Sequence, residues 1–177
     1  MEILKYKSII ILLVTILVCT ACGPSIIRGQ PPFISIASLS LDGQQLSADF
    51  NIHNPNGEPM DIDGIEIEVQ VEDATLTRYN SDFKLKIDAN STEEIFVEEL
   101  PDEFTQQLLT SLEKGEVNSL PFRLEGKVNT TLDGTLQFRN KGHLYPVPGR
   151  PGQFRSATTH SNRIHTDDPL RQIDDKQ

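Results

Sequence analysis

Within Leu46–Glu72 two runs, Leu46–His53 and Ile65–Glu72, alternate apolar and polar side chains with the period of a half-buried β-strand. Leu46, Ala48, Phe50 and Ile52 share one face, and Ser47, Asp49, Asn51 and His53 share the other. Ile65, Ile67, Val69 and Val71 repeat the pattern, opposed by Glu66, Glu68, Gln70 and Glu72. Between the two runs lies Asn54-Pro55-Asn56-Gly57. Pro55 presets its own φ and pushes Asn54 towards extended geometry, while Asn56 and Gly57 tolerate positive φ. The stretch therefore predicts a strand, a turn and a second strand in the manner of a hairpin, with Asp63-Gly64 as a further turn or bulge.

The remaining elements follow from the same two periods. Phe33 to Leu41 switches parity after Ile36, which predicts a bulge or a strand that changes sheets, and Asp42-Gly43 turns it into Leu46–Ile52. Phe83–Asp88 and Glu93–Glu99 alternate as strands. Pro101-Asp102-Glu103 opens a helix over about residues 101–114, with proline early and acids at the positive dipole end. Phe104, Leu108 and Leu112, with Leu109 beside them, form its expected apolar stripe, and Lys114-Gly115 closes it. Leu120–Val128 is a strand with Gly126 as a bulge. Asp133-Gly134 leads into Thr135–Arg139, and Leu144–Pro148 is a last extended piece that its prolines confine to an edge. Short strands at regular spacing with one isolated helix predict an all-β sandwich. Gly149 to Gln177 is polar and lacks periodicity, so it is expected to be a disordered tail.

Phe50-Asn51-Ile52-His53-Asn54-Pro55-Asn56, followed by Ile62 and the alternating Ile65–Val71, resembles the hallmark of the late embryogenesis abundant group 2 family, also called the WHy domain. The resemblance covers residues 33–148. It implies a single immunoglobulin-like or fibronectin type III-like β-sandwich with one short helix. It also implies protection under dehydration or similar stress. The family offers no agreed catalytic residues to carry over. Asn54, Pro55 and Asn56 are accordingly read as the structural turn of the motif.

The 177 residues suit one domain preceded by an export segment. Lys5 and Lys7 precede an apolar run from Ile9 to Val18, and Cys19-Thr20-Ala21-Cys22 ends it with small residues. A helix over Ser8–Ala21 would reach roughly 21 Å, short of the ~30 Å hydrocarbon core. Thr20-Ala21-Cys22 resembles the end of a bacterial lipobox, although Cys19 departs from the usual Leu or Val at its place. Residues 1–21 are thus expected to be a lipoprotein signal peptide, with Cys22 lipidated and residues 22–32 a flexible tether. A multiply acylated cysteine anchors stably, at about 0.8 kcal/mol per buried methylene. By resemblance to the sorting rule in double-membraned bacteria, Gly23 after the cysteine points to the periplasmic face of the outer membrane.

The formal net charge is −10; without Glu2, Lys5 and Lys7, 14 basic residues face 25 acidic ones, or −11. Such a surface repels nucleic acid and anionic lipid, so nucleic acid is not an expected partner and the membrane link is the lipid. No nucleophile motif, Walker loop or dinucleotide fingerprint occurs. His53 reads as a solvated strand residue, and the tail group His160, His165, Asp167 and Asp168 reads as an ordinary polar tail, with loose metal binding as the alternative. Asp61 and Asp63 beside Gly64 lack the spacing of a calcium loop. Glu66, Glu68 and Glu72, with Glu93, Glu94, Glu98 and Glu99, suggest a solvated acidic face. The expectation is a non-enzymatic envelope protein with no catalytic residue, cofactor or metal. Its partners would be the membrane, through Cys22, and client or envelope proteins. Two other readings remain open: a module that docks one envelope partner, and a carrier of an apolar ligand between its sheets.

Overall fold

A computed structural model of the chain describes residues 27–72 and 74–158. The strands are β1 (Phe33–Asp42), β2 (Gln45–His53), β3 (Met60–Val71), β4 (Ala74–Ser81), β5 (Leu85–Ile87), β6 (Thr92–Glu99), β7 (Leu120–Thr130), β8 (Gly134–Pro146) and β9 (Gln153–Thr158). Helix α1 (Glu103–Glu113) lies between β6 and β7. The strands form one antiparallel sheet in the order β4-β3-β7-β8-β9-β1-β2-β6, with β5 on the outer edge of β3.

The sheet curls into a nearly closed barrel. Its terminal strands, β4 and β6, do not pair, but the Glu99 carboxylate accepts the Arg78 N–H at 3.1 Å. The all-β class with one short helix is as expected, whereas the immunoglobulin-like or fibronectin type III-like sandwich is not clearly what the strands build. Alternation reveals that each strand has one covered face. It does not reveal whether that face meets a second sheet or the far side of its own.

The interior is packed with the inward members of the alternating sets, among them Phe50, Ile52, Ile62, Ile67, Val69, Leu124 and Val128, each at most 1% exposed. A fully buried side chain of this size stabilises the fold by about 1.5–3 kcal/mol. Two glycines stand where neighbouring atoms leave no room for a side chain. A Cβ at Gly126 would overlap the Glu66 carbonyl and the Phe138 ring, and one at Gly142 would overlap the Ala157 carbonyl and the Phe122 ring. The pairs Gly126↔Phe138 and Phe122↔Gly142 are direct cross-strand neighbours, so each ring covers the bare backbone opposite it. The expected bulge at Gly126 is absent: register runs unbroken through it on both sides.

Other expectations change in instructive ways. β2 and β3 are not a hairpin, for β2 pairs with β1 and β6 and β3 pairs with β4, β5 and β7. The bulge near Ala37 and the Asp42-Gly43 turn are present, the latter with Gly43 at φ +61°. β4 lacks a visible alternation because a register shift lets Leu76 and Thr77 both turn inward. Leu144–Pro146 is the end of β8, an interior strand between β7 and β9, since Pro146 is its final residue. The tail does not begin at Gly149. Residues 149–152 turn, with Gly149 and Gly152 at positive φ, and β9 buries Phe154 to 2% exposure. Residues 159–177 lie outside the described part, as do the signal segment, Cys22, His160, His165, Asp167 and Asp168.

Asp102 caps α1 by accepting the Thr105 N–H at 2.7 Å. At the other end the Gly115 N–H donates to the Leu112 carbonyl and the Glu116 N–H to the Ser111 carbonyl, a Schellman motif with Gly115 at φ +74°. The buried stripe is Thr105, Leu109 and Leu112 rather than one running through Phe104, which is 52% exposed. The Thr105 hydroxyl donates to the Thr75 carbonyl of β4, and the Glu113 carboxylate accepts the Gly152 N–H of the β8–β9 turn. The helix thus spans one end of the barrel, from its edge strand to its far hairpin.

Candidate functional site: the asparagine turn

At the opposite end β2 runs out into Asn54, and the expected surface turn proves to be a buried polar knot. Asn54 is 0% exposed and Asn56 4%. The Asn54 amide nitrogen lies 2.8 Å from the Glu58 carbonyl, 3.2 Å from Ile87 and 3.1 Å from Asp88. Two N–H groups therefore serve three backbone carbonyls. The Asn54 amide oxygen accepts both the backbone and the side-chain N–H of Asn56, each at 3.0 Å. The Asn54 backbone N–H reaches the Ser91 carbonyl at 2.9 Å.

Asn56 carries the network onward. Its side-chain amide pairs twice with the backbone of Gln30, donating to the carbonyl and accepting the N–H, both at 3.0 Å. Its carbonyl accepts the Asn90 N–H at 3.1 Å, and the Gly57 N–H donates to the Ile27 carbonyl at 3.0 Å. Residues 27–30 are accordingly folded back onto the turn rather than part of a free tether. Pro55 sits half-buried between the two asparagines, where a backbone N–H would need a partner of its own.

Three segments distant in sequence meet here: the 27–30 lead, the 54–58 turn between β2 and β3, and the β5–β6 turn. A side-chain amide has a donor side and an acceptor side in one plane, so it can replace a missing strand contact where the sheet ends. Every polar atom of both amides is engaged within the protein. Both asparagines are legible in the sequence as turn formers. Their reach across the barrel end had no local signal.

The other candidates are dispersed. The His53 ring nitrogen lies 3.1 Å from the Thr92 hydroxyl on the outer face, and His143 stands near Tyr145 on β8, with ring centres 6.4 Å apart. Asp63 accepts the Thr131 hydroxyl at 2.9 Å, and the Asp61 carbonyl accepts the Thr131 N–H. Among the described residues no group of three or more His, Cys, Asp or Glu could hold a metal.

The expected acidic face divides in two. On β3, Glu66 pairs with Lys127 at 3.0 Å and Glu68 with Arg78 at 3.1 Å, while Glu125 of β7 pairs with Arg139. The Gln70 amide, and then Arg78, hold the Glu68 carboxyl below the ordinary carboxylate range. The Thr105 N–H does the same for Asp102. The acids of β6, by contrast, form no ion pair among the described residues, and residues 91–112 contain neither Lys nor Arg.

A search of curated proteins returns no match. Two solved structures are similar in outline. One is a protein from Archaeoglobus fulgidus, with 12% identity and a TM-score of 0.41, covering 70% of this chain and 98% of that one. The other is Northeast Structural Genomics Consortium target SoR45, with 8% identity and a TM-score of 0.45, covering 78% of this chain and all of that one. The profile of the late embryogenesis abundant protein family, type 2, matches residues 49–147, which is more than half of the chain and includes the whole asparagine turn. The chain belongs to the late embryogenesis abundant type 2 family.

Proposed function

We propose that this is a non-enzymatic, lipid-anchored protein of the cell envelope that protects other molecules under desiccation or related stress. The observation that carries the reading is the family match over residues 49–147 on a fold whose motif residues are wholly spent on structure. A stress-related, non-enzymatic role belongs to the family. The anchor rests on the lipobox-like Thr20-Ala21-Cys22. In a host with an outer membrane, the address is that membrane's periplasmic face.

Drying a labile test enzyme with the purified protein measures the protective role. Retained activity above that given by an equally acidic inert protein supports it, and no difference rejects it. The anchor is tested by mature-protein mass and membrane fractionation, with Cys22→Ser expected to lose both the lipid mass and the membrane fraction. A second reading, docking of a protein partner, is favoured by exposed apolar side chains at the β6–α1 junction.

A further inference from the structure

Large apolar side chains on the described surface are few, and three of the six most exposed fall within nine residues. Phe96 is 58% exposed, Leu100 79% and Phe104 52%. Phe96 pairs with Asp49 and so stands on the outer face of β6, at the end of the sheet. Leu100 follows the strand, and Phe104 lies in the first turn of α1. Glu94 and Glu98 share the outer face of β6 with Phe96, and Asp102 and Glu103 lie between Leu100 and Phe104 in the chain. Residues 91–112 contain neither Lys nor Arg, and Glu99, of the other parity, accepts the backbone N–H of Arg78 on β4.

Charges on an edge strand have a familiar purpose: they prevent pairing with another sheet. That purpose accounts for the glutamates. It does not account for two phenylalanines and a leucine left in water beside them, which work against it. An apolar patch rimmed by charge of one sign is a docking surface selective for the opposite sign. A second copy would bring the same acids, and anionic lipid would be repelled likewise.

We propose that Phe96, Leu100 and Phe104, within their acidic rim, dock a cationic amphipathic segment of another protein. The proposal rests on the protective and docking reading and deepens it. A client that loses structure on drying exposes apolar residues, and those flanked by Lys or Arg fit this surface.

The test uses the purified full-length protein and a labelled synthetic peptide of leucine and lysine at helical spacing. A leucine–glutamate peptide of the same pattern and neutral phosphatidylcholine vesicles serve as controls. Binding of the lysine peptide is expected, weakened about tenfold by the pair Leu100→Ser and Phe104→Ser and less by Phe96→Ser. These positions are exposed, so the variants should unfold like the parent. Equal binding by the variants, equal binding of the glutamate peptide, or patch-dependent association with vesicles instead of peptide would overturn the proposal. Running the drying assay on the same variants separates the two ideas. Full protection by patch variants removes this surface and leaves the protective role standing. Patch-dependent peptide binding without protection by the parent protein does the reverse.

Discussion

The two ends of the barrel solve one problem by opposite means. Where a curled sheet stops, backbone groups and apolar interior both need covering. At the β6–β7 end a helix covers them, burying Leu109 and Leu112 and adding one hydroxyl and one carboxylate contact. At the Asn54 end two side-chain amides tie three segments together instead. Closure by packing is diffuse and tolerates change. Closure by a fully satisfied polar knot is all-or-none, because losing one member strands its partners in a dry place.

The contrast can be broken most directly at its polar member. Asn54→Ala should cost on the order of 4 kcal/mol in urea unfolding, since several buried groups lose their partner at about 1–3 kcal/mol each. Leu109→Ala at the helix end should cost about 3 kcal/mol, the range for a buried leucine. Leu109→Met, which keeps the volume, should recover most of it. No such conservative rescue is expected for Asn54, and rescue by Asn54→Leu would show that the knot is only packing. Gly126→Ala tests the wall between the ends, with an expected loss of about 2 kcal/mol from overlap with the Glu66 backbone. The smallest effect belongs to the outer face: Glu68→Gln should change stability by under about 1 kcal/mol, because exposed ion pairs contribute little. Its sign is fixed. The Glu68 carboxyl titrates below its unfolded value, so its contribution is full above the unfolded pKa and is lost as pH falls through the folded one. The variant should flatten that part of the acid limb.

Strand faces were legible because each inward set is contiguous in period 2, as in Leu46–Ile52 and Ile65–Val71. The helix was legible because its stops are local: Asp102 before it and Gly115 after it. Its orientation was not, because Thr105 is buried through a hydroxyl contact to Thr75 that no hydropathy pattern contains. β9 was missed because the prolines and glycines of residues 148–152 look alike in a tight turn and in a tail. Only Phe154, alone in a polar stretch, marked the return. Asn54 and Asn56 are readable as turn formers, but beyond Glu58 and each other their side-chain partners lie 26 to 34 residues away in the chain.

The asparagine pair is a structural lock made by donor N–H groups facing carbonyls. The most direct measurement is the pH dependence of stability in Asn54→Asp, a change of one atom. The introduced carboxyl would face three carbonyl oxygens, which raises its folded pKa above the unfolded value. The penalty is then smallest below the unfolded pKa and grows as pH rises through the folded one. The variant should lose stability from about pH 4 to pH 7, where the parent protein does not. A variant as stable as the parent at neutral pH, with the same profile, would contradict it.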